Sequence, residues 1–351
     1  MDPSGRVRGR ALVVARTSDS FVRPPDRKVE LIDLTGQPPP VPNRAVDLLR
    51  QCVLVAAESP DLSEPTSPLG LPTLREALAN ELRCAPDELA VTSGVRSGVA
   101  VLAPHVPDAV IETPSFEDVP RLLQGLGVAI QRRSWDEIVV DRGDRRSLWI
   151  THPARNPDGA DVDAMDLNHI AGGSWGTVIV NEVYRWHGVD WAQPPPIWSM
   201  VGSMAKVFGP GARIGWIRGP IVAALSHSAL RMVSPAPLLQ SAWAGFLSAG
   251  GLDILRERAE EESRMANAFR SALGLPAATG PNVLLPLPAG WTADAALAAL
   301  RERQVLASPG AAFGAGSTSL RFCLCATSME EAHEAADICA SVVSVGLREP
   351  S

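Results

Sequence analysis

The stretch GSMAKVFGPGARIGW, Gly202 to Trp216, carries a single lysine among small, apolar and glycine residues. A charged side chain ordinarily sits on a solvated face, so an amine in this setting asks for a chemical reason. Lysine attacks carbonyl carbon and forms a Schiff base when it is positioned and partly desolvated. Three neighbours suit an anion beside Lys206. Ser203 brings a hydroxyl three residues earlier. Gly209-Pro210-Gly211 makes a tight turn that lets backbone approach a ligand closely. Arg213 offers a planar fork matched to phosphate oxygens. Taken alone, the segment also reads as a snorkelling surface lysine beside an ordinary turn.

The elements that must position these groups follow from periodicity. TLREALANELR (Thr73–Arg83) has helical spacing, with Thr73 as N-cap. LAVTSG (Leu89–Gly94) reads as a strand and Ser97–Leu102 as a helix. AVIETP (Ala109–Pro114) is a strand, Phe116–Leu126 a helix, and VAIQRR (Val128–Arg133) a strand. SLWITH (Ser147–His152), TVIVNE (Thr177–Glu182), IWSMVG (Ile197–Gly202) and RIGWIRG (Arg213–Gly219) are further apolar strands. Strands alternating with helices indicate an α/β fold, a mostly parallel sheet covered on both faces. Ligands bind at the carboxyl ends of such strands, where the polar residues sit here.

The last third changes character. Residues 236–275 read as helix broken at Gly250–Gly251. NVLLPL (Asn282–Leu287), VLASPG (Val305–Gly310) and SLRFCLC (Ser319–Cys325) are strands, with helices over Thr292–Arg303 and from Ser328 to about Val345. That composition predicts a smaller C-terminal α+β domain over residues 246–351, after a large ligand-binding domain over residues 46–245. Residues 1–45, including IDLTGQPPP (Ile32–Pro40), are expected to pack with the small domain or with a partner.

The motif S-M-A-K-V-F-G-P-G-A-R-I-G-W resembles the Schiff-base lysine motif of pyridoxal-phosphate enzymes of the aspartate aminotransferase fold, S-x-S-K-x-F-G-x-G-x-R-x-G followed by an aromatic. The likeness continues along most of the chain, in order. P-L-G-L-P-T-L-R-E-A-L-A (Pro68–Ala79), V-T-S-G-V-R-S-G (Val91–Gly98), E-T-P-S-F (Glu112–Phe116), N-P-D-G (Asn156–Gly159), V-I-V-N-E-V-Y-R (Val178–Arg185), A-S-P-G-A-A-F-G (Ala307–Gly314) and S-L-R-F (Ser319–Phe322) are similar to successive family segments. The resemblance implies a sheet of the seven-stranded type and pyridoxal 5′-phosphate as cofactor. It gives Lys206 as the Schiff-base residue and proton shuttle. It gives backbone N–H groups of Gly94, Val95 and Arg96 as a phosphate cradle, completed by Ser203 and Arg213. Phe116 is expected to stack on the pyridine ring. Asn156 and Tyr184 are expected to donate to its phenolic oxygen, and Asn181 to face its nitrogen. Arg321 is expected to bind the substrate carboxylate, with Gly36 and His152 as further substrate contacts. Tyr184 is the single tyrosine of the chain, which speaks against a generic aromatic there.

This chain departs from the pattern at several places. Asn181 stands where the family carries an aspartate. An ionised aspartate keeps the ring nitrogen protonated and the ring a strong electron sink; asparagine donates one hydrogen bond to a neutral nitrogen instead. That favours elimination, replacement, decarboxylation or racemisation over plain transamination. Glu182 follows directly, but strand alternation points it to the opposite face. Pro65 occupies the register of a tyrosine that reaches the partner subunit's phosphate in many relatives. Ala205 replaces the common serine or threonine before the lysine. His152, at a strand end, is either a substrate contact or a hydrogen-bonded structural histidine.

The bulk numbers set limits. A net charge of −7 and a pI near 5.5 argue against nucleic acid as the main partner. No apolar run reaches membrane-spanning length, and the start lacks a full signal region, so a cytoplasmic protein is expected. The five cysteines show no metal spacing and read as buried thiols, Cys323 and Cys325 on one strand face. RERAEEESR (Arg256–Arg264) reads as a solvated helix face. The expected protein is a homodimeric, aminotransferase-like enzyme acting on an amino acid or amine, in a specialised biosynthetic role. A lyase or synthase on the same scaffold is the second reading, and a degenerate binding protein or regulator the third.

Overall fold

The computed structural model describes residues 31–38, 40–58, 66–143, 145–188 and 192–345. Pro65 and the first thirty residues of the N-terminal segment lie outside these. In chain order the first eight strands are β1 (Ile32–Asp33), β2 (Leu89–Thr92), β3 (Asp108–Thr113), β4 (Ala129–Ser134), β5 (Ser147–Thr151), β6 (Val178–Asn181), β7 (Ser199–Ser203) and β8 (Gly215–Arg218). They are followed by β9 (Asn282–Pro286), β10 (Val305–Leu306), β11 (Ser308–Pro309) and β12 (Ser319–Cys323). The first six helices are α1 (Asn43–Ala57), α2 (Pro72–Leu82), α3 (Val95–Leu102), α4 (Asp118–Gly125), α5 (Trp135–Val140) and α6 (Ala164–Ala171). The remaining five are α7 (His227–Val233), α8 (Pro237–Ser248), α9 (Gly251–Ala272), α10 (Ala293–Glu302) and α11 (Met329–Val345). α2 starts one residue before Thr73, on Pro72, whose fixed φ suits the first helical position.

Seven strands form the central sheet in the order β2-β8-β7-β6-β5-β3-β4. All neighbours are parallel except β8, which runs antiparallel to both β2 and β7. The inner strands are largely apolar because both faces are covered, whereas the edge strand β4 has no buried residue and carries Gln131, Arg132 and Arg133. Ile111, Trp149, Ile179, Val201 and Ile217 pack toward α3, α4 and α7. The alternate residues Val110, Leu148, Ile150, Val180 and Met200 pack toward α5 and α6. Over β2 and β8 the second face is closed by α2 and α8, with Trp216, Trp243 and Phe246 fully buried. The period of two along each strand sorts these side chains onto the two faces.

The C-terminal elements build a second, smaller core. β9, β11 and β12 form an antiparallel sheet in the order β11-β12-β9, and β1 pairs parallel with β10. Ile32 and Leu34 bury with Phe269, Val283, Phe322 and Cys339 in this core. The break expected near Gly250–Gly251 is there: Gly250 adopts φ +77° between α8 and α9. α9 serves both cores, Leu252, Leu255 and Ala259 toward the large sheet and Met265, Ala266 and Phe269 toward the small one. Its charge run is not uniformly solvated. Glu262 is buried and accepts from His187 Nε2 at 3.0 Å. Cys323, Cys325 and Cys339 are buried free thiols, whereas Cys52 and Cys84 are only half-buried. No helix among the described residues is long and apolar enough to cross a membrane.

Glu112, near the end of β3, is enclosed by the fold. One carboxylate oxygen accepts from the Thr151 amide at 2.7 Å; the other is buried without a partner. Burial pushes the carboxyl up to about 7, against the attraction of Arg155. An unfolded glutamate loses its proton near 4.5. Between those values the folded chain holds the extra proton, so stability falls as pH rises, by roughly 3 kcal/mol in full above pH 7. Glu112→Gln removes that titration. The variant is expected to melt higher than the parent at pH 8 and at the same temperature at pH 4. Thermal denaturation at both values checks this, and equal shifts at the two would refute it.

Candidate active site

Lys206 ends a 3₁₀ turn, Met204–Lys206, directly after β7. The turn is held from several sides. Ser203 Oγ accepts from the Ala205 amide at 3.3 Å, capping it. Phe208 packs edge-on against Trp243, with ring centroids 5.1 Å apart, and Trp243 packs on Phe246 at 5.0 Å. Edge-to-face pairs of this kind contribute about 0.5–1.5 kcal/mol beyond area burial. Trp243 Nε1 also donates to the Ala212 carbonyl at 3.2 Å, pinning the loop between Lys206 and Arg213. The half-buried lysine extends its Nζ to 5.6 Å from the Tyr184 ring centroid and 5.8 Å from that of Phe116. Tyr184 pushes the amine above its ordinary value, with burial opposing. Burial in turn raises the Tyr184 phenol.

Among the buried polar atoms without partners are Asn156 Oδ1, Asn181 Oδ1 and the Tyr184 hydroxyl, the last on the ring beside the Lys206 amine. A native interior rarely leaves such groups unmet, since each costs about 1–3 kcal/mol. Asn181 closes β6 and Tyr184 lies in the turn after it. Asn156 lies beyond β5, the neighbouring strand.

The reversal of β8 makes the anion corner. Because β8 runs antiparallel between β2 and β7, its first residue Gly215 pairs with Thr92 on one side and Ser203 on the other. Gly94, Ser203 and Arg213 therefore meet at one end of the sheet. Gly94 has φ +126°, which only glycine adopts readily, and a Cβ there would enter open space. It opens α3, so the N–H groups of Val95, Arg96 and Ser97 precede the first helical hydrogen bond, Gly98 N to Gly94 O. The Arg96 side chain is exposed and pairs with Asp118, so only its backbone faces this corner. Arg213 is held at φ +48°, is exposed, and makes no hydrogen bond or ion pair among the described residues.

Arg321, in the middle of β12, is buried and its charge is felt at both Lys206 and Tyr184. Its Nη1 donates to the Thr35 carbonyl at 2.9 Å and its Nη2 to Asn282 Oδ1 at 2.6 Å. Gly36 lies against it: a Cβ there would sit 2.9 Å from Nη1.

Residues 32–338 match the family described as aminotransferase class I and II. The chain belongs to that family. Aminotransferases of this family use pyridoxal phosphate, and this chain has their fold. A double mutant of the Thermus thermophilus aspartate aminotransferase superposes with a TM-score of 0.72 at 22% identity, over 89% of this chain and 92% of that one. An α-aminoadipate aminotransferase from Thermus thermophilus gives 0.74 at 18% identity, over 90% and 93%. An aromatic aminotransferase from Pyrococcus horikoshii gives 0.73 at 21%, over 90% and 96%. The chain is also 26% identical over 182 residues, 44% of its length, to an uncharacterised HTH-type transcriptional regulator of Bacillus subtilis, YdfD. It spans 38% of that relative's length.

The family's pattern and this chain diverge at two expected contacts. Glu182 cannot replace the missing aspartate beside Asn181. It is buried among Arg218, Arg185 and Trp216, accepting from Arg218 Nε at 2.8 Å and Trp216 Nε1 at 2.7 Å. Despite burial, those arginines hold its carboxyl at about 2. His152, expected as a substrate contact, is fully buried and spent on backbone. Its Nε2 donates to the Ala192 carbonyl at 2.7 Å and its Nδ1 accepts from the Val162 amide at 3.3 Å. Burial lowers its pKa, so the ring stays neutral and structural. Sequence reasoning passed over Asn282, Thr35 and Phe313. Of these only Asn282, a polar residue heading an apolar strand, carried a local signal.

Proposed function

We propose that this chain is an aminotransferase-like enzyme that works on an amino acid as a homodimer, with Lys206 as the residue that condenses with the cofactor aldehyde. The observation that carries the reading is the unmet, buried Tyr184 hydroxyl on a ring beside the half-buried Lys206, together with the open corner at Gly94. A phosphorylated pyridine suits these groups: Gly94, Val95, Arg96, Ser203 and Arg213 would hold the phosphate, Phe116 would lie on the ring, and the unmet Tyr184 hydroxyl would meet an acceptor on it. Pyridoxal phosphate supplies the electron sink. Lys206 would move the proton at the substrate α-carbon, the Tyr184 hydroxyl and the Asn156 amide nitrogen would donate to the ring's phenolic oxygen, and Arg321 would orient the carboxylate.

The chain has two lysines, Lys28 and Lys206. Reduction of the reconstituted enzyme with borohydride, followed by peptide mass analysis, is expected to leave the phosphopyridoxyl group on Lys206. A label on Lys28 instead, or on neither, would overturn the assignment. Asn181 favours a second outcome on the same site, elimination or another lyase reaction. Release of ammonia without any keto-acid acceptor supports that outcome, whereas turnover that stops without an acceptor supports transamination.

A further inference from the structure

Cys323 is the last residue of β12, and Cys325 follows two positions later. Residues two apart in extended chain point to one side, so Cys323 shares its face with Arg321. The Sγ atoms of Cys323 and Cys325 lie 3.4 Å apart, as two free thiols in hydrogen-bond contact. The backbone around them is pinned. Cys323 N donates to the Leu34 carbonyl at 2.8 Å and Leu324 N to the Pro281 carbonyl at 2.9 Å. Arg258 Nη2 donates to the Cys325 carbonyl at 2.8 Å. Arg321 is fixed as well, by Thr35, Asn282 and the Phe313 ring, 5.1 Å from its guanidinium carbon.

The two thiols are unequal. The Cys325 thiol donates to the Cys323 sulfur, Arg321 and Lys206 add positive charge, and the Cys325 amide is a second donor. Against burial, these hold the Cys323 thiol well below its ordinary value. Cys325 is pushed the other way, by the proton it commits to that bond, by burial and by negative charge on Cys323 and Glu262. Burial also raises Cys52, Cys84 and Cys339, the last to about 12. The thiolate is the form that attacks, so reactivity and exposure run in opposite orders here. Cys52 and Cys84 are the more exposed, yet Cys323 is the better nucleophile. Cys323 and Cys325 each keep 4% exposure, and hydrogen peroxide is little larger than water.

We propose that Cys323 and Cys325 are a peroxide-sensitive pair that switches the Lys206 site off. The Cys323 thiolate attacks one oxygen of hydrogen peroxide. The O–O bond breaks, hydroxide leaves and takes a proton from solvent, and Cys323 becomes a sulfenic acid. The Cys325 sulfur then displaces hydroxide from Cys323; this leaves as water with the Cys325 proton, and the disulfide closes. Over both steps two thiols are oxidised and one peroxide is reduced to two waters. Closure brings the sulfurs from 3.4 Å to about 2 Å, drawing in the end of the strand that carries Arg321. It also removes the negative charge that faces Lys206 and Arg321. The chemistry at sulfur is independent of the cofactor, whereas the loss of activity rests on the reading of Lys206 and Arg321 given above.

The test treats the full-length holoenzyme with hydrogen peroxide at neutral pH and maps alkylated samples over time by peptide mass analysis. A Cys323–Cys325 disulfide is expected to form about tenfold or more faster than any oxidation at Cys52 or Cys84. The rate at which an amino acid changes the absorbance of the bound cofactor should fall in step, by about tenfold or more, and return with dithiothreitol. In Cys325→Ser the sulfenic acid has no second thiol to meet, so dimedone should label Cys323. In Cys323→Ser dimedone should leave Cys325 unlabelled. Cys323→Ala and Cys325→Ala stand in should a serine variant fail to fold. Oxidation that begins at Cys52 or Cys84, or dimedone on Cys325 instead of Cys323, would overturn the proposal. A disulfide that forms while the reaction rate stays unaltered would sink the switch. Borohydride trapping is run on the reduced parent. Its absence at Lys206 would remove the Lys206 reading, with the thiol chemistry still judged by mass and by labelling.

Discussion

Lys206→Ala is expected to abolish covalent retention of the cofactor and to lower turnover by about a thousandfold or more. The prediction follows from how specifically the amine is placed. Phe208 and Trp243 anchor the chain on the C-terminal side of the turn, and Ser203 caps its start. The amine is left over two aromatic faces, with no carboxylate hydrogen-bonded to it among the described residues. A lysine there for charge alone would be replaceable by arginine. A lysine there as nucleophile and proton carrier would not, because guanidinium stays protonated at any working pH. Lys206→Arg is therefore expected to be as inactive as Lys206→Ala. Single-turnover measurements with an amino acid decide it: an arginine variant that keeps more than about a tenth of the parent rate would show that charge, not the amine, is what matters.

Most strands of the large sheet were legible because they are buried on both faces and read as apolar runs; the edge strand β4, with Gln131, Arg132 and Arg133, is the exception. Their direction was not. RIGWIRG looks like its neighbours, yet β8 is antiparallel, and only that reversal sets Gly215 between Thr92 and Ser203 and gathers the anion corner. The break between α8 and α9 was visible as a glycine pair, since a left-handed residue ends a helix there. Nothing in the sequence reading marked α1. Its N-cap is Pro42, with no side-chain cap to announce the start. The Lys206 segment stood out in the sequence because its residues are consecutive. The bond between Asn282 and Arg321 did not, because the two lie 39 residues apart and pair only once β9 and β12 are hydrogen-bonded. His152 stood open between a substrate contact and a structural histidine, because its bonds to Val162 and Ala192 are set by loops that no periodicity describes.

Asn181→Asp is expected to raise the rate of transamination by roughly 10- to 100-fold. Asn181 ends β6 with its Oδ1 buried and unmet, and its side chain carries no charge at any pH. The adjacent carboxylate does not compensate, because Glu182 is neutralised by Arg185 and Arg218 on the other side of the strand. A carboxylate introduced at 181 stays ionised if it meets a cation, here a protonated ring nitrogen, and the pair makes the bound ring a better acceptor of electrons. Without such a cation, the same burial would raise its pKa and leave it a neutral acid, hydrogen-bonding much as asparagine does. The two cases separate cleanly in a steady-state assay with a keto-acid acceptor, run beside an absorbance titration with pH. A faster reaction with a spectral pKa moved upward places residue 181 at the ring nitrogen. An unchanged or slower reaction with an unmoved spectrum places it elsewhere, and removes the physical reason for setting this enzyme apart from ordinary aminotransferases.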